Sequence, residues 1–404
     1  MPKLPCLILL VLVLALPAPA QKHYDPGASD TEIKVGNLMP YSGQFADSGV
    51  LGKAEAAYFR MVNDHGGIRG RKVNFISLDS GAGPQAALEL VKQLVEQDQV
   101  LLVAGPWGNA VNKAVRPYLN DHHVPQLFVA SSEATFDDPE HFPWTMGFAP
   151  SKRTEALAYG KYLVENRPDA RVAVLTTDDE EGTEFRNGLV EGLGARAAAM
   201  IVQEGRFRSN EPDAIDGLVA QFQKAGADVF MNLTYGRTAI RGIVKAYDLG
   251  WKPLQFIPNG SNSVVTSPDL GDPRKAYGLV SNARSKGWMA QAAYHGRGVK
   301  RDPAVDGFLE FMHMYLRDAD LHEVQYVFAY EVAQTVEAVL KACGDDLTRA
   351  NVMAQATHLD LELGMLAPTI RVRTSPTDYR PIKDLYFVRY DGKGWVALGT
   401  GLAP

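Results

Sequence analysis

The sequence predicts an α/β fold of two Rossmann-like lobes with parallel central sheets. Three observations carry that expectation. Apolar strand-type runs alternate with amphipathic helical stretches, the pattern of parallel sheets flanked by helices. The alternation fills one block, breaks at residues 137–147, which turn from polar to aromatic and hold two prolines, and then restarts in a second block of similar size. No low-complexity linker separates the blocks, which points to a hinge between lobes. The 404 residues suffice for two cores.

The elements follow in order. Residues 33–38 read as the first strand. A helix over 47–65 presents Leu51, Ala54, Tyr58, Met61 and Val62 on one face. Gly66 and Gly67 supply the positive φ that ends this helix, so the chain can return as strand 73–78 beside the first. Pro84 opens the next helix at its first turn, with Ala87, Leu88, Val91, Leu94 and Val95 as its buried stripe. Strand 100–104, a helix from Asn109 and strand 126–130 complete the first block. In the second block, helices 151–165, 183–193, 211–225 and 238–249 each precede a strand, at 171–176, 198–203, 228–233 and 254–258. The tail reads as helices 303–316 and 324–343 and a third helix capped by Asp346 or Thr348. β-structure is expected after Leu363, with Asp391-Gly392 as a hairpin turn between 385–390 and 395–398.

Residues 1–20 read as a targeting segment, with Lys3, an apolar run over 7–16, and Pro17-Ala18-Pro19-Ala20 as an A-x-A cleavage pattern before Gln21. The run is short for a bilayer span, which leaves a retained N-terminal anchor as the minor alternative, and no other run of about 18 apolar residues occurs, so a soluble secreted protein is expected. Cys6 precedes the apolar run, which argues against lipidation. Cleavage would leave Cys343 alone in an apolar helical context, expected as a buried small residue with no disulfide partner. The net charge of -6 argues against a nucleic-acid partner.

Enzyme signatures are missing. There is no P-loop and no G-x-S-x-G elbow, and Gly81-Ala82-Gly83 lacks the third glycine of a dinucleotide fingerprint. His322-Glu323 has no second histidine at the spacing of a zinc protease helix, and His122-His123 reads as a solvated pair. No catalytic residue, cofactor or metal is therefore expected. Candidate ligand contacts lie in loops that follow strands, where open α/β sheets place small molecules. Asn109 opens a helix whose backbone N–H groups can hold a carboxylate, or serves simply as a cap. Ser131, Ser132, Glu133 and Thr135 follow the fourth strand and offer hydroxyls to an anion, or form a polar turn. In Asp178-Asp179-Glu180-Glu181 the first three read as an acidic helix start favoured by the dipole, with Glu181 retained as a cleft candidate. Tyr41, Phe45, Trp107, Phe136, Tyr235 and Tyr326 could form an aromatic wall, or could in part be core.

Ile33-Lys34-Val35-Gly36, Ser42-Gly43, Gly66-Gly67-Ile68-Arg69-Gly70-Arg71-Lys72-Val73, Asp79 and Ala246-Tyr247-Asp248-Leu249-Gly250-Trp251 together resemble one family. It is the periplasmic substrate-binding proteins of branched-chain amino acid type ABC importers, the leucine-binding protein-like type I fold. The resemblance covers 33–398. It implies three crossovers, near 147–151, 277–282 and 377–384, an N-terminal lobe of 30–149 and 280–378, and a C-terminal lobe of 150–279 and 379–404. It also implies a monomer in the periplasm that traps a small carboxylate as the lobes close and docks on a membrane permease. A sensor of the same fold acting on a membrane receptor is the alternative, and a secreted enzyme using Glu133 or Glu181 ranks third. By position, the family's carboxylate loops correspond to Trp107-Gly108-Asn109 and 131–135. The resemblance puts Glu181 toward the ligand, where the family often has an aromatic. Amino-acid binders usually carry an acid near Phe256-Ile257-Pro258-Asn259-Gly260-Ser261, which here is neutral, with Asn259 as the candidate ligand contact. Either Glu133 or Glu181 replaces that acid, or the ligand has no α-amino group. The second is favoured, because Phe142-Pro143-Trp144-Thr145-Met146-Gly147 resembles a subgroup taking aromatic and other non-amino-acid carboxylates. The family's N-lobe disulfide is absent, with Ala82 and Gly108 in its place.

Overall fold

The computed structural model describes residues 22–81, 83–286, 302–321 and 323–398. The expected targeting segment with Cys6 lies outside the described residues, as do Ala82, His322 and residues 399–404. The first sheet has β1 (Glu32–Met39), β2 (Lys72–Asp79), β3 (Leu102–Ala104), β4 (Gln126–Val129) and β5 (Thr145–Gly147). The order is β2-β1-β3-β4-β5, all parallel. Ile33 pairs with Val73 and Leu38 with Leu78, as the sequence leads one to expect. Gly66 and Gly67 have φ of 96° and 72°, and a Cβ on Gly67 would sit 2.1 Å from the Arg71 carbonyl oxygen. That close return sets the register.

Strand alternation sorts the core into two layers. Ile33, Val35 and Met39 pack with α1 (Val50–Asp64), α8 (Pro303–Tyr315) and α9 (Gln325–Cys343). Leu38 faces α2 (Pro84–Lys92) and α3 (Asn109–Asp121) on the other side. Both faces of β1 are covered, as a central parallel strand requires. Cys343, the sole cysteine of the described residues, ends α9 in this core, and burial pushes its thiol up to about 12.

The second sheet contains β6 (Val172–Thr177), β7 (Ile201–Phe207), β8 (Val229–Asn232), β9 (Leu254–Phe256), β10 (Val280–Ala283), β11 (Tyr386–Tyr390) and β12 (Trp395–Ala397). Its order is β12-β11-β10-β9-β8-β6-β7, with β11 antiparallel to both neighbours. Val172 and Val174 face α4 (Lys152–Asn166) and α5 (Glu180–Leu193). Ala173 and Leu175 face α6 (Ala214–Lys224). α7 (Gly236–Asp248) flanks β8, and α10 (Arg349–Ala356) is capped by the Thr348 hydroxyl.

Some boundaries differ from the sequence reading. Ala197–Met200 is helical rather than the start of a strand, in keeping with its run of strong helix formers. α5 begins at Glu180, not 183, because the Asp179 carboxylate accepts from the Gly182 N–H at 2.9 Å and caps it. The second crossover follows Ala283, beyond the expected 277–282, because β10 pairs with β11 through Ala283↔Tyr386. Ser285 then bridges Leu366 in the first lobe. At the third crossover Ile382 still belongs to the first core, and Leu385 is the first residue in the second.

Candidate ligand-binding cleft

Both sheets reverse strand order, the first between β1 and β3 and the second between β6 and β8. The crevice at the carboxyl ends of such strands is where open α/β sheets bind ligands. A chamber of about 900 Å³ lies there, beside one of about 380 Å³. Asn109, Ser132, Ala149, Gly260 and Arg284 line both.

On the first lobe, Asp79 at the end of β2 organises the mouth. Its Oδ1 accepts from the backbone N–H groups of Tyr41 and Gly81, each at 2.9 Å, and of Ser42 at 3.2 Å. These bonds, the Ser42 hydroxyl first, hold the Asp79 carboxyl below its usual range. A Cβ on Gly81 would meet the Ser42 carbonyl oxygen at 2.2 Å, so glycine lets the loops after β1 and β2 close on each other. Phe45 leans on Trp107 with ring centroids 5.1 Å apart. Leu51, Val111 and Phe328 add apolar wall. No side chain caps the N-terminus of α3, which Gly108 approaches with φ of 96°. The Ser131 hydroxyl donates to Asn109 Oδ1 at 2.7 Å, which ties the two carboxylate-type loops together.

The second lobe supplies charge and the hinge. Lys152 is 6% exposed and pairs with Glu181 at 3.1 Å. Tyr235 packs against Gly260, where a Cβ would lie 2.8 Å from the ring, and burial drives its hydroxyl pKa well up. Glu155 of α4 is buried and accepts from Asn259 N–H at 2.6 Å, Asn282 Nδ2 at 2.5 Å and the Tyr159 hydroxyl at 2.9 Å. It thereby joins α4 to β10. Arg284, the first residue of the second crossover, lies with its guanidinium 4.5 Å from the Phe328 ring centre. Its Nε donates to Glu331 at 3.2 Å.

The cleft brings together Trp107, Asn109, Ser131, Ser132, Glu181, Tyr235 and Asn259 of the expected contacts. Tyr41, Glu133, Thr135 and Tyr326 do not line it. The Tyr41 hydroxyl turns inward to Ser77 Oγ at 2.6 Å, into space left by Gly52. Glu133 is held by Lys113 at 2.7 Å. The Thr135 carbonyl is occupied by Arg116. Tyr326 is turned into the first core, because on α9 it is Gln325 and Phe328, three apart, that share the cleft face. Phe136 is also buried, beneath the Arg116 guanidinium. No group of three potential metal ligands occurs among the described residues.

Sequence reasoning missed Lys152, Arg284, Glu155 and Phe328. Lys152 carries a local signal, since a cation at the first position of a helix opposes the dipole. Arg284 has none, because its place depends on strand pairing far along the chain.

The lobes also touch outside the cleft. Lys113 lies 3.6 Å from Glu180, and Glu184 Oε1 accepts from Ala134 N–H at 3.1 Å. Nearby, burial pushes the Asp137 carboxyl up to about 8, against Arg380 and reinforced by Asp378 and Glu184. An acid raised above its unfolded value of about 3.9 favours folding fully only below that value, and the contribution is lost as pH rises through about 8. The urea midpoint is therefore expected to fall between pH 5 and 9, and to fall less in Asp137→Asn. Parallel curves for the two proteins would refute this assignment.

Comparison with known proteins agrees with the architecture. A family model described as periplasmic binding protein matches residues 32–394. The Leu/Ile/Val-binding protein homolog 7 of Brucella suis biovar 1 is 24% identical over 244 residues, or 57% of this chain. The chain spans 59% of that relative's length. A branched chain amino acid ABC transporter protein from Thermus thermophilus with bound valine superposes with a TM-score of 0.72 at 15% identity, over 93% of this chain and 97% of that one. A solute binding protein of an R. palustris ABC transporter in complex with 4-hydroxybenzoate gives a TM-score of 0.68 at 19% identity, over 93% and 98%. At these identities the solved structures speak to the fold.

Proposed function

The chain belongs to the periplasmic binding protein family, and from that premise we propose that it is the extracytoplasmic solute receptor of an ABC importer. It captures a small carboxylate in the interlobe cleft by hinge closure and delivers it to a membrane permease. The cleft at the carboxyl edges of both sheets, bridged by three crossovers, carries this reading. The ligand classes in view are aromatic and aliphatic acids and branched-chain amino acids.

The charge pattern favours an acid without an α-amino group. Glu133 is engaged by Lys113, Glu181 by Lys152, and Glu155 by three donors. An ammonium entering the cleft would have to displace a cation from a carboxylate, and a buried ammonium without one is costly. The uncapped α3 N-terminus and the Ser131–Asn109 pair favour an anion.

A thermal-shift screen of the mature protein against branched-chain amino acids, aromatic acids, their amides and dicarboxylates tests the reading. An aromatic or aliphatic carboxylate is expected to raise Tm, with about 2.7 kcal/mol of stabilisation at about 100 times its Kd. A shift by leucine, isoleucine or valine that Glu181→Gln abolishes would overturn the preference for a non-amino acid.

A further inference from the structure

We propose that Arg284 sets the specificity of the cleft by receiving the ligand's carboxylate on its two terminal nitrogens, while an apolar body without an α-ammonium fills the larger chamber. This rests on the solute-receptor reading above and names the substrate class for it: aryl or alkyl monocarboxylic acids.

Among the described residues two cations line the chambers, Lys152 and Arg284. Lys152 is taken by Glu181 at 3.1 Å. Arg284 is different. Its Nε donates to Glu331 at 3.2 Å, and among the described residues Nη1 and Nη2 make no hydrogen bond. Glu331 is 0% exposed, and its other oxygen accepts from the Ser285 hydroxyl at 2.7 Å. The flat face of the guanidinium lies over Phe328. One edge and one face are thus fixed from behind, and the terminal fork is left for a carboxylate, which accepts two parallel N–H bonds from such a fork. The side chain is 17% exposed, so the pair would form largely out of water.

The neighbouring surface fits the rest of the molecule. Leu51, Phe45, Trp107, Val111 and Phe328 line the larger chamber, whose volume of about 900 Å³ exceeds the needs of a small aliphatic side chain. Arg284 also belongs to the crossover itself, where its carbonyl accepts from Ala367 N–H at 2.7 Å. A ligand held by Arg284 therefore contacts the hinge directly.

The test begins with thermal shift of the mature protein against benzoate, 4-hydroxybenzoate, 3-phenylpropionate and octanoate, with leucine and glucose for comparison. The best acid and its amide are then titrated calorimetrically. The wild type is expected to prefer the acid by at least tenfold. Arg284→Lys, which keeps a charge for Glu331 but loses the fork, is expected to lose about tenfold to hundredfold in acid affinity. The double variant Arg284→Met/Glu331→Gln, which leaves no buried charge unpaired, is expected to lose the acid-over-amide preference, with acid affinity falling further than amide affinity. Circular dichroism confirms that each variant is folded. An acid-over-amide ratio that survives in the folded double variant overturns the role of Arg284 and leaves the receptor reading intact. Binding of leucine but of none of the four acids overturns the substrate class, and binding of glucose alone overturns both the substrate class and the role of Arg284, while either leaves the receptor reading intact. Binding of no solute at all overturns both.

Discussion

Arg284→Met alone is expected to lower stability by about 3–5 kcal/mol, the cost of stranding a buried charge by removing its partner. Glu331 is 0% exposed on α9, and its oxygens are held by Arg284 Nε and Ser285 Oγ. Without the guanidinium, the carboxylate must lose its charge or drag water into the first core. Burial already pulls the Glu331 pKa upward, and Arg284 opposes that pull. Adding Glu331→Gln removes the charge, so the double variant is expected to recover most of the loss. Urea denaturation at neutral pH reads both. A single variant within about 1 kcal/mol of wild type would show that the pair does not stabilise the crossover.

Glu155→Ala should cost about 1–3 kcal/mol. The carboxylate serves Asn259 N–H, Asn282 Nδ2 and the Tyr159 hydroxyl, and a buried donor left without a partner costs about 1–3 kcal/mol. Tyr159 retains the Ile257 carbonyl at 2.8 Å and Asn282 Nδ2 retains the Tyr159 hydroxyl at 2.9 Å, so the Asn259 N–H bears most of the loss. Glu155→Gln keeps one acceptor oxygen and should fall between. Equal denaturation midpoints for Ala and Gln variants would sink this account.

Much of the fold was legible because it rests on local signals. The period of 33–38, the paired glycines at 66 and 67 and Pro84 at a helix start each act within a few residues, and each appears where expected. The second crossover was misplaced because β10 is lengthened by pairing with β11, a strand roughly a hundred residues later that local pattern cannot register. The site was half legible for the same reason. Asn109, Ser131 and Ser132 follow strands and could be found by topology. Glu133 looked equally available until Lys113, one turn into α3, claimed it. Tyr41 looked like a cleft aromatic, but Gly52 opens a slot that draws it inward. Arg284 and Lys152 become neighbours of one cavity only when two crossovers meet.

Cys343, the sole cysteine among the described residues, has a practical consequence. Maleimide dyes react with thiolate, and a thiol near 12 is ionised at neutral pH about three orders of magnitude less than an ordinary one near 8.5. New cysteines at Tyr277, 68% exposed beside the second sheet, and Met314, 55% exposed on α8, would therefore take fluorophores over a silent background. A chain without Cys6 is in that sense already a blank for an optical reporter, with a donor on one jaw and an acceptor on the other.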